Sequence, residues 1–317
     1  MHSLAMLAFG RVGWTDLKPF IPLGFAFGGI YALAGVGMVV LYRATGVLNL
    51  SFGAIGTAGA LISWWFINHT GVPDVIAYLI AVAFGGVVTL LYGLLFGPAF
   101  AARPPLVKTM ATLGLALVLV GLMGHLAPPL NASPRFLHLP SSDWRYRISG
   151  AIVNWTEIIA FLFAIVLTFG TAAYLRFTKL GTAMRALAND REISATLGVP
   201  VRRVEAAAWL GSGLVCGAAG LLLADQLNTL DPNTLTFNFI IAALAAAVLG
   251  RLRFLWATLA GGLVIGLVQS LLNAYFSWPN FDQSLSAYRT VTPFVIATTG
   301  LLWLGRRRVI TVARSGN

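Results

Sequence analysis

Apolar residues run along this chain in long unbroken blocks. They occupy about 20–42, 47–67, 74–97, 107–127, 152–175, 206–224, 237–250, 255–276 and 288–305, with short polar stretches between them. Most blocks approach the roughly 20 residues that cross a hydrocarbon core about 30 Å thick. The block at 237–250 is too short to cross alone. It predicts a broken or re-entrant helix, which is stable only where protein or a cavity covers its backbone. The pattern as a whole predicts an all-α polytopic membrane protein, a bundle of about eight to nine transmembrane helices forming one domain over residues 1–317.

Composition agrees with that pattern. The chain is 58% hydrophobic and 10% charged, less than half the roughly 25% charge of soluble domains, so it lacks the polar surface to cover a water-soluble fold. The first 18 residues, MHSLAMLAFGRVGWTDLK, carry no basic leader and too short an apolar stretch to predict a cleaved signal peptide. The single cysteine, Cys216, falls inside an apolar block, where it is expected as a small buried packing residue.

The net charge of +11 sets the orientation. If the tail with Arg306, Arg307, Arg308 and Arg314 is cytoplasmic, nine crossings put the loops near Arg43, near Arg103 and Lys108, at 176–205, and at Arg251 and Arg253 on that side too. Fifteen of the 21 basic residues are then inside. Arg11, Lys18, Arg135, Arg145, Arg147 and Arg289 are outside, with seven of the ten acids: Asp16, Asp74, Asp143, Glu157, Asp225, Asp231 and Asp282. That asymmetry is the one that orients membrane proteins. The positive charge therefore lies mainly in cytoplasmic loops that face the anionic lipid bilayer or a partner, and no nucleic acid is needed to explain it.

Catalytic and cofactor signals are missing. None of Lys18, Lys108 and Lys179 ends a glycine-rich phosphate loop. His2, His69, His125 and His138 have no metal-ligand spacing. No acid or histidine falls at mid-membrane depth, where an ion-driven carrier keeps one. Glu157 and Asp225 come nearest, and are expected as solvated charges at the outer ends of their helices. Energy for transport should therefore come from another subunit. Small residues do recur at helical spacing: Gly24 with Gly28, Gly213 with Gly217, Gly262 with Gly266, and Gly53, Gly56 and Gly59 every third position. Such faces let helices approach closely in lipid.

The longest polar interruption, TKLGTAMRALANDREISATLGVPVRRVE at 178–205, holds eight of the 31 charged side chains. Thr178 is placed to cap a helix with Gly181, Met184 and Leu187 along one side and Arg185 on another. Asn189 and Asp190 suit a second cap, opening a short helix over about 191–197. Gly198 suits the position after its end, and Pro200 prevents continuation. On spacing alone, this pair of helices fits either a partner interface or an amphipathic loop on lipid headgroups.

The loop also resembles the cytoplasmic coupling loop of branched-chain amino acid ABC transporter permeases, at Thr178, Gly181, Arg185, Ala186, Asp190, Ala195, Gly198 and Val199, with a one-residue shift inside the pattern. GIYALAGVGMVVLYRATGVLNLSFGAIGTAGALI (29–62) resembles that family's N-terminal signature, through Tyr31, Ala32, Leu33, Gly46, Asn49, Ser51 and Gly53. AAVLGRLRFLWATLAGGLVIGLVQSLL (246–272) resembles a third family segment. The three occur in the family's order, and the length points to the shorter, LivH-like permease type. Two departures stand out. Gly250-Arg251-Leu252-Arg253-Phe254 replaces a glycine-rich loop, and Arg306, Arg307 and Arg308 replace the usual C-terminal sequence.

The resemblance implies a multi-pass permease of the bacterial inner membrane with cytoplasmic coupling helices. It would pair with a second, homologous permease subunit, be driven by two cytoplasmic ABC ATPases that bind the ATP, and be fed by a periplasmic binding protein. No cofactor of its own and no enzymatic activity are implied. Thr178, Gly181, Arg185, Ala186, Asp190, Ala195 and Gly198 would form the ATPase-coupling set. Polar or small residues within spans, Asn49, Ser51, Gly53, Thr57, Asn238, Gln269 and Asn273, are candidates for the translocation path, although an in-membrane amide serves as interhelical glue as readily as it serves as a ligand. Their lack of charge suits a solute with an apolar side chain. The alternatives are an ABC permease for another small solute, such as urea, a short amide or a sugar, and an ATPase-independent channel or carrier. Finally, VLYRATGVLNLSFGAIGTAGALI and VLGRLRFLWATLAGGLVIGLVQ echo one another, each passing from a span end through Arg into a glycine-rich span.

Overall fold

The computed structural model describes residues 17–100, 103–126, 137, 139, 144–148, 151–276 and 291–302. Along the chain these form α1 (Phe20–Thr45), α2 (Phe52–Thr70), α3 (Asp74–Ala99), α4 (Pro105–Leu126), a hairpin of β1 (Arg145–Ile148) and β2 (Ala151–Asn154), α5 (Trp155–Phe177), α6 (Lys179–Asn189), α7 (Arg191–Thr196), α8 (Val201–Leu227), α9 (Pro232–Leu249), α10 (Leu255–Phe276) and α11 (Thr292–Leu302). Among the described residues seven helices are long and apolar enough to cross a membrane: α1, α3, α4, α5, α8, α9 and α10. The 19-residue α2 falls outside that set because its second half carries Ser63, Asn68, His69 and Thr70. The expected crossing at 288–305 is described only over 291–302, as α11. Arg306, Arg307, Arg308, Arg314, Arg11, Asp16, Arg135, Asp143, Asp282, Arg289, His2 and His138 lie outside the described residues.

α1 is the hub of the bundle. It packs against α10, α8, α5 and α9, and from Gly28 to Val39 every residue is buried. Its small residues make that possible. A Cβ at Gly28 would sit 2.7 Å from the Cα of Leu263, and one at Gly266 would run into the backbone of Gly28. The α3–α8 contact is built the same way, with Gly85 against Gly213 and Ala81 against Gly217, while α2 meets α8 at Gly56 and Gly220. All the expected small-residue faces thus lie at helix crossings, where packing and not the hydrophobic effect joins helices in lipid. Cys216 is buried there as well, and its thiol donates to the carbonyl of Phe52 (2.7 Å).

The short block at 237–250, expected as broken or re-entrant, belongs to one unbroken helix. α9 begins at Pro232, and the side chain of Asp231 caps it by accepting from the amide of Thr234 (2.7 Å). The five residues gained bring it to 18, about 27 Å at 1.5 Å per residue. The apolar count missed them because PNTLT is polar, although Asp followed by Pro is itself a helix-start signal. α5 likewise starts at Trp155 and not at 152, because Ala151–Asn154 pair with Arg145–Ile148 in the hairpin.

Candidate functional site

Of the seven residues proposed for the path, three meet in one cleft. Asn238 of α9 and Gln269 and Asn273 of α10 line a space of about 280 Å³ with Leu23, Phe27 and Tyr31 of α1, Leu227 at the end of α8, and Ser270. Gln269 and Asn273 are one helical turn apart and so share a face. Gln269 is hydrogen-bonded to Tyr31, and its Oε1 has no hydrogen-bond partner among the described residues. Asn238 donates from Nδ2 to the carbonyl of Thr234 (2.7 Å), and Ser270 donates to the carbonyl of Phe20 (2.7 Å). The lining is neutral throughout. It offers amide and hydroxyl groups on one side and Leu23, Phe27 and Leu227 on the other, which suits a small solute with a polar end and an apolar side chain.

The other four lie in packed interior. Asn49 and Ser51 are buried, and Asn49 Oδ1 accepts from the amide of Ser51 (3.0 Å) and from its hydroxyl (2.5 Å). This local turn opens α2. The segment before it is pinned to α4, the amide of Leu48 donating to Thr109 Oγ1 (3.4 Å) and that of Leu50 to Thr112 Oγ1 (2.9 Å). Gly53 faces the backbone of Thr236 with no room for a Cβ, and Thr57 donates to the carbonyl of Gly53 (2.9 Å) and meets the Thr236 hydroxyl at 3.4 Å. These residues build the α1–α2 turn and the α2–α9 contact.

The coupling set is arranged by local capping. Thr178 Oγ1 accepts from the amide of Gly181 (2.9 Å) and opens α6, while Asp190 Oδ1 accepts from the amide of Ile193 (2.9 Å) and opens α7. α7 then closes through two backbone bonds, Gly198 N–H to Ala195 O and Val199 N–H to Ser194 O, both 3.1 Å. Gly198 takes φ +83°, a left-handed conformation that disfavours any side chain. Gly181 is a packing residue, because a Cβ there would strike the backbone of Tyr174 and Leu175 at the end of α5. Met184 and Leu187 bury the inner face of α6. Outward, Arg185, Asp190, Ala195 and Gly198 are exposed and Ala186 is half-buried. The sequence reading missed Ile193 and Leu197, which are 59% and 78% exposed on the same short helix end. Their signal was two large apolar side chains in an otherwise polar stretch.

Beside this elbow, the loops assigned to the cytoplasm by charge counting converge at one end of the bundle. A cleft of about 850 Å³ is lined by Arg43 with the end of α1, Pro105 and Lys108 at the start of α4, Arg185, Leu187, Ala188, Asn189 and Arg191 of α6 and α7, and Arg251 to Arg253 between α9 and α10. Among the described residues no acidic side chain lines it. Arg191 is paired behind it with Glu205 of α8 (2.8 Å).

Glu157 and Asp225 correct an expectation. Both are only 5% exposed, not solvated. Asp225 Oδ1 accepts from the amide of Leu139 (2.9 Å), and Glu157 Oε1 from Gln226 Nε2 (3.3 Å). Leu137 and Leu139, from the segment between α4 and the hairpin, pack over this end of the bundle, and a helix-end count cannot foresee such a cover.

The family model described as branched-chain amino acid transport system, permease component, matches residues 21–301. The high-affinity branched-chain amino acid transport system permease protein LivH of Salmonella typhimurium is 24% identical over 293 residues, covering 88% of this chain and 93% of its own. A probable LivH of Methanocaldococcus jannaschii is 24% identical over 282 residues, covering 87% of each chain. BraD of Pseudomonas aeruginosa is 24% identical over 257 residues, covering 78% of this chain and 83% of its own. A match spanning α1 to α11, on a bundle of seven apolar crossings with a capped elbow at its basic end, shows that this multi-pass inner-membrane chain belongs to the family of branched-chain amino acid transport system permease components.

Proposed function

We propose that the chain is one of two homologous permease subunits in an importer of branched-chain amino acids, driven by two ATPase subunits that grip α6 and α7 and supplied by a periplasmic binding protein. The observation that carries this reading is the elbow itself. Two short helices, each fixed by its own cap, hold Ile193 and Leu197 out at the basic end while Met184 and Leu187 anchor them to the bundle. Exposed apolar side chains on a rigid, otherwise polar element fit a groove on another protein.

The cleft of Tyr31, Asn238, Gln269 and Asn273 passes the solute. Its amides meet the ammonium and carboxylate by hydrogen bonding, and Leu23, Phe27 and Leu227 meet the aliphatic side chain. No charge in the lining holds the solute tightly, so selectivity rests largely with the binding protein. Each nucleotide state of the ATPase must bind one permease conformation better than the other, since equal affinity moves nothing.

The test is reconstitution in vesicles with a paired permease, ATPases and binding protein, reading ATP-dependent uptake of labelled leucine against competing valine, urea and arabinose. Leucine uptake that needs ATP and is inhibited by valine alone is the expected result. Uphill accumulation by the purified chain without ATPases would overturn the reading, and displacement of leucine by arabinose or urea would overturn the solute.

A further inference from the structure

We propose that the cleft bounded by Arg43, Arg185, Arg251 and Arg253 is a binding site for a phosphate oxyanion, filled in the membrane by the headgroup of an anionic phospholipid. Three separate stretches of chain bring these arginines to one cleft: the end of α1, the outer side of α6 and the α9–α10 turn. Among the described residues no acidic side chain lines the cleft to balance them. Arg43 is half-buried and feels the like charges of Arg253 and Arg185. Cations crowded in this way repel one another unless an anion sits among them.

The backbone supplies a second, independent observation. α9 ends with Arg251 N–H bonded to Val248 O (2.8 Å) and Leu252 N–H to Ala247 O (2.9 Å). Arg251 and Leu252 lie at φ +56° and +54°. A helix end of this shape favours glycine at its first left-handed position. Two successive side-chain-bearing residues in that region are strained, and such strain persists where a side chain is needed. Here both left-handed residues, Arg251 and Leu252, line the cleft, and the first of them is an arginine.

The surroundings select the source of the phosphate. The cleft opens among helix ends at the basic end of the bundle, which charge counting assigns to the cytoplasmic headgroup layer, where basic pockets between transmembrane helices take lipid phosphates. Apolar side chains flank it outward. Leu106 is 68% exposed beside Pro105, and Phe254 and Trp256 are about half exposed beyond Arg253, Trp256 standing edge-on to Phe169 with ring centroids 4.3 Å apart. Arg253 lies 5.9 Å from the ring centre of Phe254. That surface suits acyl chains hanging below a headgroup. The guanidinium fork matches phosphate oxygens in pairs.

The experiment uses the full chain in nanodiscs of phosphatidylcholine with and without phosphatidylglycerol, reading bound lipid by native mass spectrometry and melting by fluorescence. Wild type should retain phosphatidylglycerol and melt higher with it. Arg43→Gln and Arg253→Gln should each weaken that retention by about fivefold. Arg251→Gly should lose it as well, while melting no lower than wild type in phosphatidylcholine alone, which separates ligand loss from misfolding. Arg202→Gln, at an exposed basic position of α8 outside the cleft, should change nothing. Equal losses with Arg202→Gln, or none with the cleft variants, would overturn the site in favour of diffuse surface charge. Stabilisation by inorganic phosphate matching that by lipid would overturn the lipid source. Protection of the cleft arginines by added ATPase, without any by lipid, would show an acidic protein segment there and overturn the proposal.

Discussion

Two helices end at the basic face with the same pair of backbone bonds and different residues. α7 stops on Gly198, at φ +83°, in open space. α9 stops on Arg251, at φ +56°, with Leu252 left-handed behind it. The first obeys the preference of the left-handed region for glycine, and its conformation costs little. The second goes against it, at a cost of about 1–2 kcal/mol for each residue so placed. The difference teaches that an elbow built to present a surface can be laid down by local rules alone. A turn that departs from those rules keeps its side chain for what that chain reaches, here a cleft shared with Arg43 and Arg185.

The comparison can be broken most sharply on the α7 side. Ala195→Glu or Leu197→Asp should leave the permease inserted and folded, because both positions are exposed, yet reduce ATP-driven uptake to background. Uptake in vesicles at matched expression checks this, and normal uptake would remove the docking role of α7. Exchanging the two stops comes next. Gly198→Arg should destabilise by roughly 1–2 kcal/mol and lower uptake in part, whereas Gly198→Asn, which tolerates a left-handed backbone, should restore most of the loss. Thermal melting beside uptake reads both. The reverse exchange, Arg251→Gly, should gain a net 0.5–1 kcal/mol or so, the relief of strain less the greater freedom of glycine in the unfolded chain. A fall in melting temperature in phosphatidylcholine would show that Arg251 supports the fold and not a ligand. Smallest is the start of α7, where Arg191→Met removes the pair with Glu205. With Arg191 41% exposed in its side chain, solvent screens the pair and the loss should be about 0.5 kcal/mol or less, visible only as a slight shift in melting.

What could be read from the chain alone follows the range of the forces involved. Thr178, Asp190 and Gly198 act within four residues of themselves, so capping rules placed both short helices, α6 and α7, almost to the residue. The glycine faces were legible because helical spacing fixes which residues share a side, although nothing in the sequence said that Gly266 meets Gly28 or that Gly213 meets Gly85. α9 was misread because the apolar count outweighed the Asp231–Pro232 start. Long-range placement stayed hidden. Asn238, Gln269 and Asn273 were legible as polar groups in apolar helices, but Asn49 and Ser51 look the same in sequence and are spent on a turn. Tyr31 passed as part of a signature, and the gathering of arginines from positions 43, 185, 251 and 253 depends on a fold that no local pattern encodes.

α1 carries Tyr31 at one cleft and Arg43 at the other, 12 positions apart on a continuous helix with no proline between them, a separation of about 18 Å. Its left-handed stop at Gly46 and the pinned turn after it come only beyond both. Such a strut has no joint between its working points. A displacement of its inner tip, which α6 touches, is therefore carried to the cleft at Tyr31 without a hinge between, so the two clefts share one rigid part.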